Sequence, residues 1–389
     1  MKYGNFLWGA TGVLFAGLVV GCDKYGDSSP EERPEAAFIT LEEVAQLLSE
    51  VALGPEQMAE VKEGSTASAG NGYDEEYRMR DLFVSPGMGV GDEASTKAQA
   101  YSRPLRDLLR EAARERFATK SASAGEADAW LDSLAASDVQ IYWPGSENWA
   151  GSQLPVITYD PGDGADQNEG YELLPDGRVR KLMVDEQMAA ERPVWVVNRN
   201  SDAAYKSLEL LRREDPHWGS GGGEILVTKA EDEVKTLVLR SFKAHRQYDS
   251  WFAGGAEFFC RVGSVEHFKA TSEAEMQQYV PSITDFMIVV RRGQIGEELP
   301  FNAVLVSEWT KQLISVAFLL TEDDGGKKTN WKASATVKYN SKSYGIDIDI
   351  PLNSRDDIVW RGTLTSEYIK KYSGQKVRFG DVELVLELI

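Results

Sequence analysis

Apolar positions recur with a helical period in the front of the chain and with a strand period in the back. Leu41, Val44, Ala45, Leu48, Val51 and Ala52 fall on one face of a predicted helix. Thr40-Leu41-Glu42-Glu43 opens it as a capping box, and Ile39 with Val44 supplies a hydrophobic staple. Gly54 ends this helix, and Pro55 suits the first turn of the next. Gly64 to Gly72, rich in Gly, Ser and Ala, reads as a flexible loop. Tyr73 to Phe83 reads as helical, with Asp74, Glu75 and Glu76 near its start to suit the dipole. A third helix begins near Ser102, with Pro104 in its first turn and Leu105, Leu108, Leu109 and Ala112 facing inward. Its arginines, from Arg103 to Arg116, read as an outer face paired with neighbouring acids. A short helix around Trp130 and Leu134 closes this part.

From Val139 the period shortens to that of strands. Val139–Trp143, Leu154–Tyr159, Val179–Val184 and Pro193–Val197 are strand candidates bounded by turn residues. Beyond residue 233 come Thr236–Phe242, Ala256–Val262, Phe286–Arg291, Phe301–Val306, Ile314–Leu320, Lys332–Tyr339, Tyr344–Ile350, Arg361–Leu364 and Val382–Leu388. In Tyr344–Ile350 the alternation buries Ile346, Ile348 and Ile350 and exposes Asp347 and Asp349. Successive strands without a long helical pattern between them predict an antiparallel sandwich. The fold class expected is therefore α+β: a helical N-terminal part, a small β-rich middle and a C-terminal antiparallel β-sandwich. The boundaries expected are residues 38–228 for the α+β part and 233–389 for the sandwich, joined near Ser220-Gly221-Gly222-Gly223.

The one long apolar run, Phe6 to Val20, follows Lys2 and runs into Leu18-Val19-Val20-Gly21-Cys22. At about 15 residues it is short for a ~30 Å hydrocarbon core. Leu18–Cys22 resembles the lipobox of bacterial lipoproteins, in which the cysteine is lipidated and the preceding segment removed. The resemblance implies a signal peptide at 1–21, lipidation of Cys22 and a flexible acidic tether at 22–37. The acidic tether is similar to those of Bacteroidota-type lipoproteins. A lipid-anchored protein of the cell envelope is implied, at the outer membrane, on its periplasmic face or at the cell surface.

Charge narrows the partners. Against 42 Lys and Arg stand 62 Asp and Glu, a net charge of −20 over 389 residues. Such a surface repels phosphate backbones, so no nucleic-acid partner is expected. Anionic headgroups are repelled too, leaving the N-terminal lipid as the membrane contact. If Cys22 carries lipid, Cys260 has no intramolecular partner, and its strand-like surroundings suit a buried, inert thiol.

Three stretches carry candidate chemistry. Tyr142-Trp143 and Trp149 flank the turn Pro144 to Asn148, where aromatic faces can stack on a sugar or a peptide. Asp160 to Glu169 is an acidic, glycine-rich loop, but Gly162, Gly164 and Tyr171 occupy positions an EF-hand gives to ligands. Finally, Asp249-Ser250-Trp251-Phe252-Ala253-Gly254-Gly255 lies between two strands, and Thr321-Glu322-Asp323-Asp324-Gly325-Gly326 follows another. That arrangement resembles C2 domains, in which loop aspartates at one end of a sandwich hold Ca²⁺. The resemblance covers about the last third of the chain and implies Ca²⁺ ligands at Asp249, Glu257, Asp323 and Asp324.

No His-Glu-x-x-His, Cys-x-x-Cys or Gly-x-Ser-x-Gly motif occurs, so nothing in the sequence argues for catalysis. The function expected is a membrane-anchored extracytoplasmic lipoprotein acting as a non-catalytic module for a glycan, a peptide or an envelope protein. A tethered hydrolase with a carboxylate-based site, or a structural subunit of an envelope complex, is the alternative.

Overall fold

The helix predicted from Leu41 onwards forms as α1 (Leu41–Glu50), with the Glu43 N–H donating to the Thr40 hydroxyl at 3.2 Å. This is seen in a computed structural model that describes residues 39–84, 101–119, 124–151, 153–200, 205–214, 234–276 and 278–389. Cys22 with its lipobox, the acidic tether and the glycine run at 220–223 lie outside the described residues. Phe38–Ile389 makes one compact unit.

α2 (Pro55–Gly70) starts on Pro55, as expected, but does not stop at Gly64. It runs through the small-residue stretch that local sequence marks as a loop. Packing supplies the reason: a Cβ on Gly64 would lie 2.4 Å from the Tyr77 ring, so glycine lets the helix close on its neighbour. The following segment is not the predicted helix either. It enters β1 (Glu76–Arg78), and only α3 (Met79–Phe83) is helical. Asp74, Glu75 and Glu76 therefore do not serve a helix dipole; all three are buried in tertiary contacts.

α4 (Leu105–Thr119) and α5 (Ala124–Ala135) complete the helical layer. Arg103, Arg110 and Arg114 pair with Glu111, Asp107 and Asp128, the outer-face role expected of them. These helices cover one face of a mixed six-stranded sheet. Its strands are β1, β2 (Val139–Tyr142), β3 (Val156–Tyr159), β4 (Gln167–Leu173), β5 (Val179–Asp185) and β6 (Val194–Arg199), in the order β1-β2-β6-β3-β4-β5. Only β3 and β6 run parallel. β4 occupies the end of the stretch read as an acidic loop. Its polar sequence shows no apolar alternation, and pairing with β3 and β5 forms it.

Alternation along the strands sorts their side chains between two cores. Ile141, Trp143, Ile157, Trp195 and Val197 face the helices. Tyr142, Val156, Val194 and Val196 face the other way and meet Trp251 and Phe252. A short helix, α6 (Glu186–Glu191), lies between β5 and β6, and α7 (Leu208–Glu214) precedes the back half.

The back half is the expected antiparallel, sandwich-like pair of sheets. β7 (Lys235–Ala244), β8 (Ala256–Ser264), β9 (Ser282–Val290), β10 (Leu299–Trp309) and β11 (Leu313–Glu322) are followed by β12 (Lys328–Tyr339), β13 (Lys342–Asn353) and β14 (Asp357–Thr365). After a short helix, Ser366–Tyr372, come β15 (Gln375–Phe379) and β16 (Val382–Leu388). One sheet has the order β10-β7-β16-β15, and the other β13-β12-β11-β8-β9, with β14 also on β11. Leu239, Phe242, Phe258, Cys260, Phe318 and Leu320 lie in the core they enclose. Cys260 is fully buried there, and burial pushes its thiol well up, as suits an inert role.

No helix among the described residues is long and apolar enough to cross a membrane.

Candidate functional site

The turn after β2 is built from below. The Trp143 N–H donates to the Glu75 carbonyl at 2.9 Å. The Glu75 carboxyl accepts from Gly145 N–H at 3.0 Å and from the Ser146 hydroxyl at 3.3 Å. Gly145 takes the left-handed conformation that the turn requires, at φ 69°. From α2, Lys62 Nζ donates to the carbonyls of Glu147 and Trp149, both at 3.3 Å. Glu147 lies within hydrogen-bond reach of Glu75. Burial first, and then this second carboxyl, push Glu75 up to about 8, while contact with Glu75 holds Glu147 below the usual range.

On this frame the aromatics form a graded series. Trp195 is fully buried, Trp143 sits edge-on to it at 5.8 Å, and the half-buried Trp149 sits edge-on to Trp143 at 5.9 Å. Trp149 Nε1 donates to the Gln153 carbonyl at 3.0 Å, which fixes the indole ring. Trp143 and Trp149 line one cleft, of about 440 Å³. Tyr142 does not join them. It points through the sheet into the other core and is 2% exposed, because neighbouring strand residues take opposite faces.

The opposite wall of the cleft comes from the back half. The loop joining β7 to β8, residues 245–255, carries Trp251 into the cleft lining. Trp251 Nε1 donates to the Asp166 carbonyl at 3.0 Å. Asn198, on the front sheet, donates to the carbonyls of Phe252 and Ala253. Asp74 accepts from Gly255 N–H at 2.7 Å. Arg292 completes the wall: its Nη1 donates to the Asp249 carbonyl at 3.2 Å, and its Nε pairs with Glu186 at 2.7 Å. The cleft thus offers an aromatic face beside planar amides, with Arg292 paired to Glu186 and Glu191 held only by Gln187.

Two residues before Trp251 on the same loop, Asp249 belongs to an acidic cluster. Oxygens of Asp249, Glu322 and Asp324 all fall within 4.8 Å of one another. Glu322 is the last residue of β11, directly opposite Phe258, and so points into the sandwich interior at its end. It is fully buried, and among the described residues neither carboxyl oxygen meets a hydrogen-bond donor; the same lack of a donor holds for Asp249 Oδ2. Burial, then the facing acid, push Glu322 far up, and burial also raises Asp249 and Asp324. Three convergent carboxylates suit a hard divalent cation.

Of the four acids predicted for Ca²⁺, the structure brings Asp249 and Asp324 together, adds Glu322 and separates Asp323 and Glu257 from them. Pleating is the reason. Asp323 lies between Glu322 and Asp324 in extended chain and faces the opposite side. There it accepts from Gly325 N–H and from Asn353 Nδ2, beside Asp356, which faces the buried Arg261. Glu257 precedes Phe258 on β8, and its carbonyl accepts from the Asp323 N–H. Glu322 was missed because it ends an apolar strand. A charged residue closing an otherwise inward-facing run was the available signal.

The Asp160 loop uses its own carboxylates. Asp160 accepts from Gly162 N–H and Asp163 from Ala165 N–H, which closes two side-chain turns. His245 lies 3.3 Å from Glu383, so it takes no part in the acidic cluster. The chain matches no protein-family model, no curated protein and no solved structure.

Proposed function

We propose that the chain is a lipid-tethered protein of the bacterial cell envelope that binds a neutral saccharide in the cleft beside Trp149. The observation that carries this reading is Trp149 itself: a half-exposed indole, edge-on to Trp143 and held by the Gln153 carbonyl, on the lip of a cleft of about 440 Å³. A rigid aromatic face loses little freedom when a sugar ring stacks on it, and amides such as Asn148 and Gln153 beside it suit hydroxyl groups. Arg292 is paired with Glu186 and Arg192 with Glu172, and the remaining lining acid, Glu191, accepts from Gln187 Nε2, so the wall offers no unpaired cation to favour an anionic ligand. The tether rests on the sequence of Leu18–Cys22.

Binding rather than hydrolysis is favoured by the Glu75–Glu147 pair. The two carboxyls are within hydrogen-bond reach of each other, whereas carboxyls that flank a glycosidic bond stand about 5 Å or more apart. Screening the full chain on an array of neutral glycans, followed by titration calorimetry on the hits, tests the cleft. Trp149→Ala is expected to weaken binding ~10-fold while leaving the melting temperature nearly unchanged. Equal binding by wild type and variant, or no glycan bound by wild type, overturns the reading. The anchor is tested separately, since Cys22→Ala should move the expressed protein from the membrane to the soluble fraction.

A further inference from the structure

We infer that Asp249, Glu322 and Asp324 form a divalent-cation site, of Ca²⁺ type, that fastens the 245–255 loop to the end of the sandwich. An acidic cluster alone is an ordinary feature of so acidic a chain. What distinguishes this one is Glu322, a fully buried carboxyl neither of whose oxygens meets a donor among the described residues. A buried acid normally meets a backbone amide, a hydroxyl or a cationic side chain, because leaving it unmatched is costly. Other buried acids here follow that rule: Asp74 has Gly255 N–H, Glu60 has Leu105 N–H at 2.6 Å and Asp356 has Asn353 N–H at 2.9 Å. Glu322 instead faces Asp249, whose Oδ2 is also buried without a donor, and Asp324 closes the third side.

Charges around the cluster leave the deficit standing. Arg292 and Arg355 lie near, but among the described residues neither makes an ion pair with any of the three acids. Arg292 is spent on Glu186 and on the carbonyls of Asp249 and Gly254. Asp160 and Asp357 add further negative charge. Oxygen-only ligands from a loop and a strand end match the coordination that Ca²⁺ takes, with water completing the shell.

The position gives the ion a structural consequence. Asp249 and Trp251 sit two residues apart on one loop, and Trp251 lines the cleft. An ion tying Asp249 to β11 holds that wall in place. The ion site stands by itself; only the effect on the cleft wall rests on the saccharide reading, and the test below contains no sugar.

The experiment is a set of thermal melts of the full chain in chelator and in ~1 mM CaCl₂, with hydrogen exchange read on the 245–255 amides. Wild type is expected to melt roughly 3–8 °C higher with Ca²⁺, since an ion bound only by the folded state stabilises it. Exchange in 245–255 should slow at the same time. Glu322→Gln and the more exposed Asp324→Asn should both lose the Ca²⁺ shift, and Asp324→Asn guards against a folding defect in the first. A wild type whose melting temperature does not shift with Ca²⁺ would mean that the two acids only share a proton, and the site is overturned. A shift that persists in both variants places the ion elsewhere and overturns it equally. A Ca²⁺ shift with unchanged exchange in 245–255 overturns the fastening of the loop.

Discussion

Two buried acids, Glu75 and Glu322, each face a more exposed carboxyl, and what surrounds them differs. Glu75 and Glu147 lie under the tryptophan turn, where an amide, a hydroxyl and a nearby lysine complete them. Asp249 and Glu322 lie at the end of the sandwich, where the next group is a third acid. In each pair one carboxyl, Glu75 or Glu322, is driven up by burial and then by the acid that faces it. Burial and a raised pKa therefore do not tell a structural acid from a ligand site. The supply of donors does: Glu75 is part of the scaffold that shapes the turn, while the Glu322 carboxyl meets no donor among the described residues.

The largest expected effect tests the scaffold side of this contrast. Glu75→Ala strips Gly145 N–H and the Ser146 hydroxyl of their acceptor in a buried setting. It should destabilise the protein by about 3 kcal/mol, read by denaturant unfolding. Glu322→Gln should act in the opposite direction when no divalent ion is present, adding about 1–2 kcal/mol in chelator, because it removes an unmatched buried acid. If both substitutions destabilise alike, the contrast between the two pairs fails.

A smaller effect sharpens the contrast through pH. Glu75 is raised in the folded protein to about 8, above its unfolded value near 4.5. Its contribution is thus fully present below the ordinary carboxylate range and is lost as pH rises through about 8. Glu147 is lowered, so its own contribution appears above pH 4.5 and does not change across this window. The melting temperature of wild type should therefore fall relative to that of Glu75→Gln between pH 5 and 9. A constant difference across that range would show that Glu75 ionises normally.

The smallest effect concerns Lys62, which reaches the turn from α2 and lies 5.8 Å from the centre of the Trp149 ring. Lys62→Met should cost only about 0.5 kcal/mol of stability, since the contacts are long and partly exposed. Its signature would be a change in Trp149 mobility by NMR without a change in fold. No change in either would assign the turn to Glu75 alone.

Local physics determined a good deal of this protein from sequence alone. The Thr40 cap, the Pro55 start, the arginine face of α4 and the alternation in β13 each rest on neighbours within a few residues, and each stands in the structure. The α+β class, with helices before a sandwich-like region, was legible for the same reason: periodicity sums many local preferences. Lipidation of Cys22 is an expectation from the sequence alone, since the residue lies outside the described ones.

Tertiary contact decided the rest. Gly64 to Gly70 looks like a loop until Tyr77 packs on it, and Asp74 to Glu76 look like a helix start until Gly255, Gly145 and Asn200 claim them. Glu322 reads as the polar end of a strand. Only the meeting of β11 with a loop some 70 residues earlier sets it against Asp249, where no donor among the described residues reaches its carboxyl. Such partners are distant in sequence, so no local pattern encodes them. A buried acid becomes a scaffold or a site according to what the fold brings beside it.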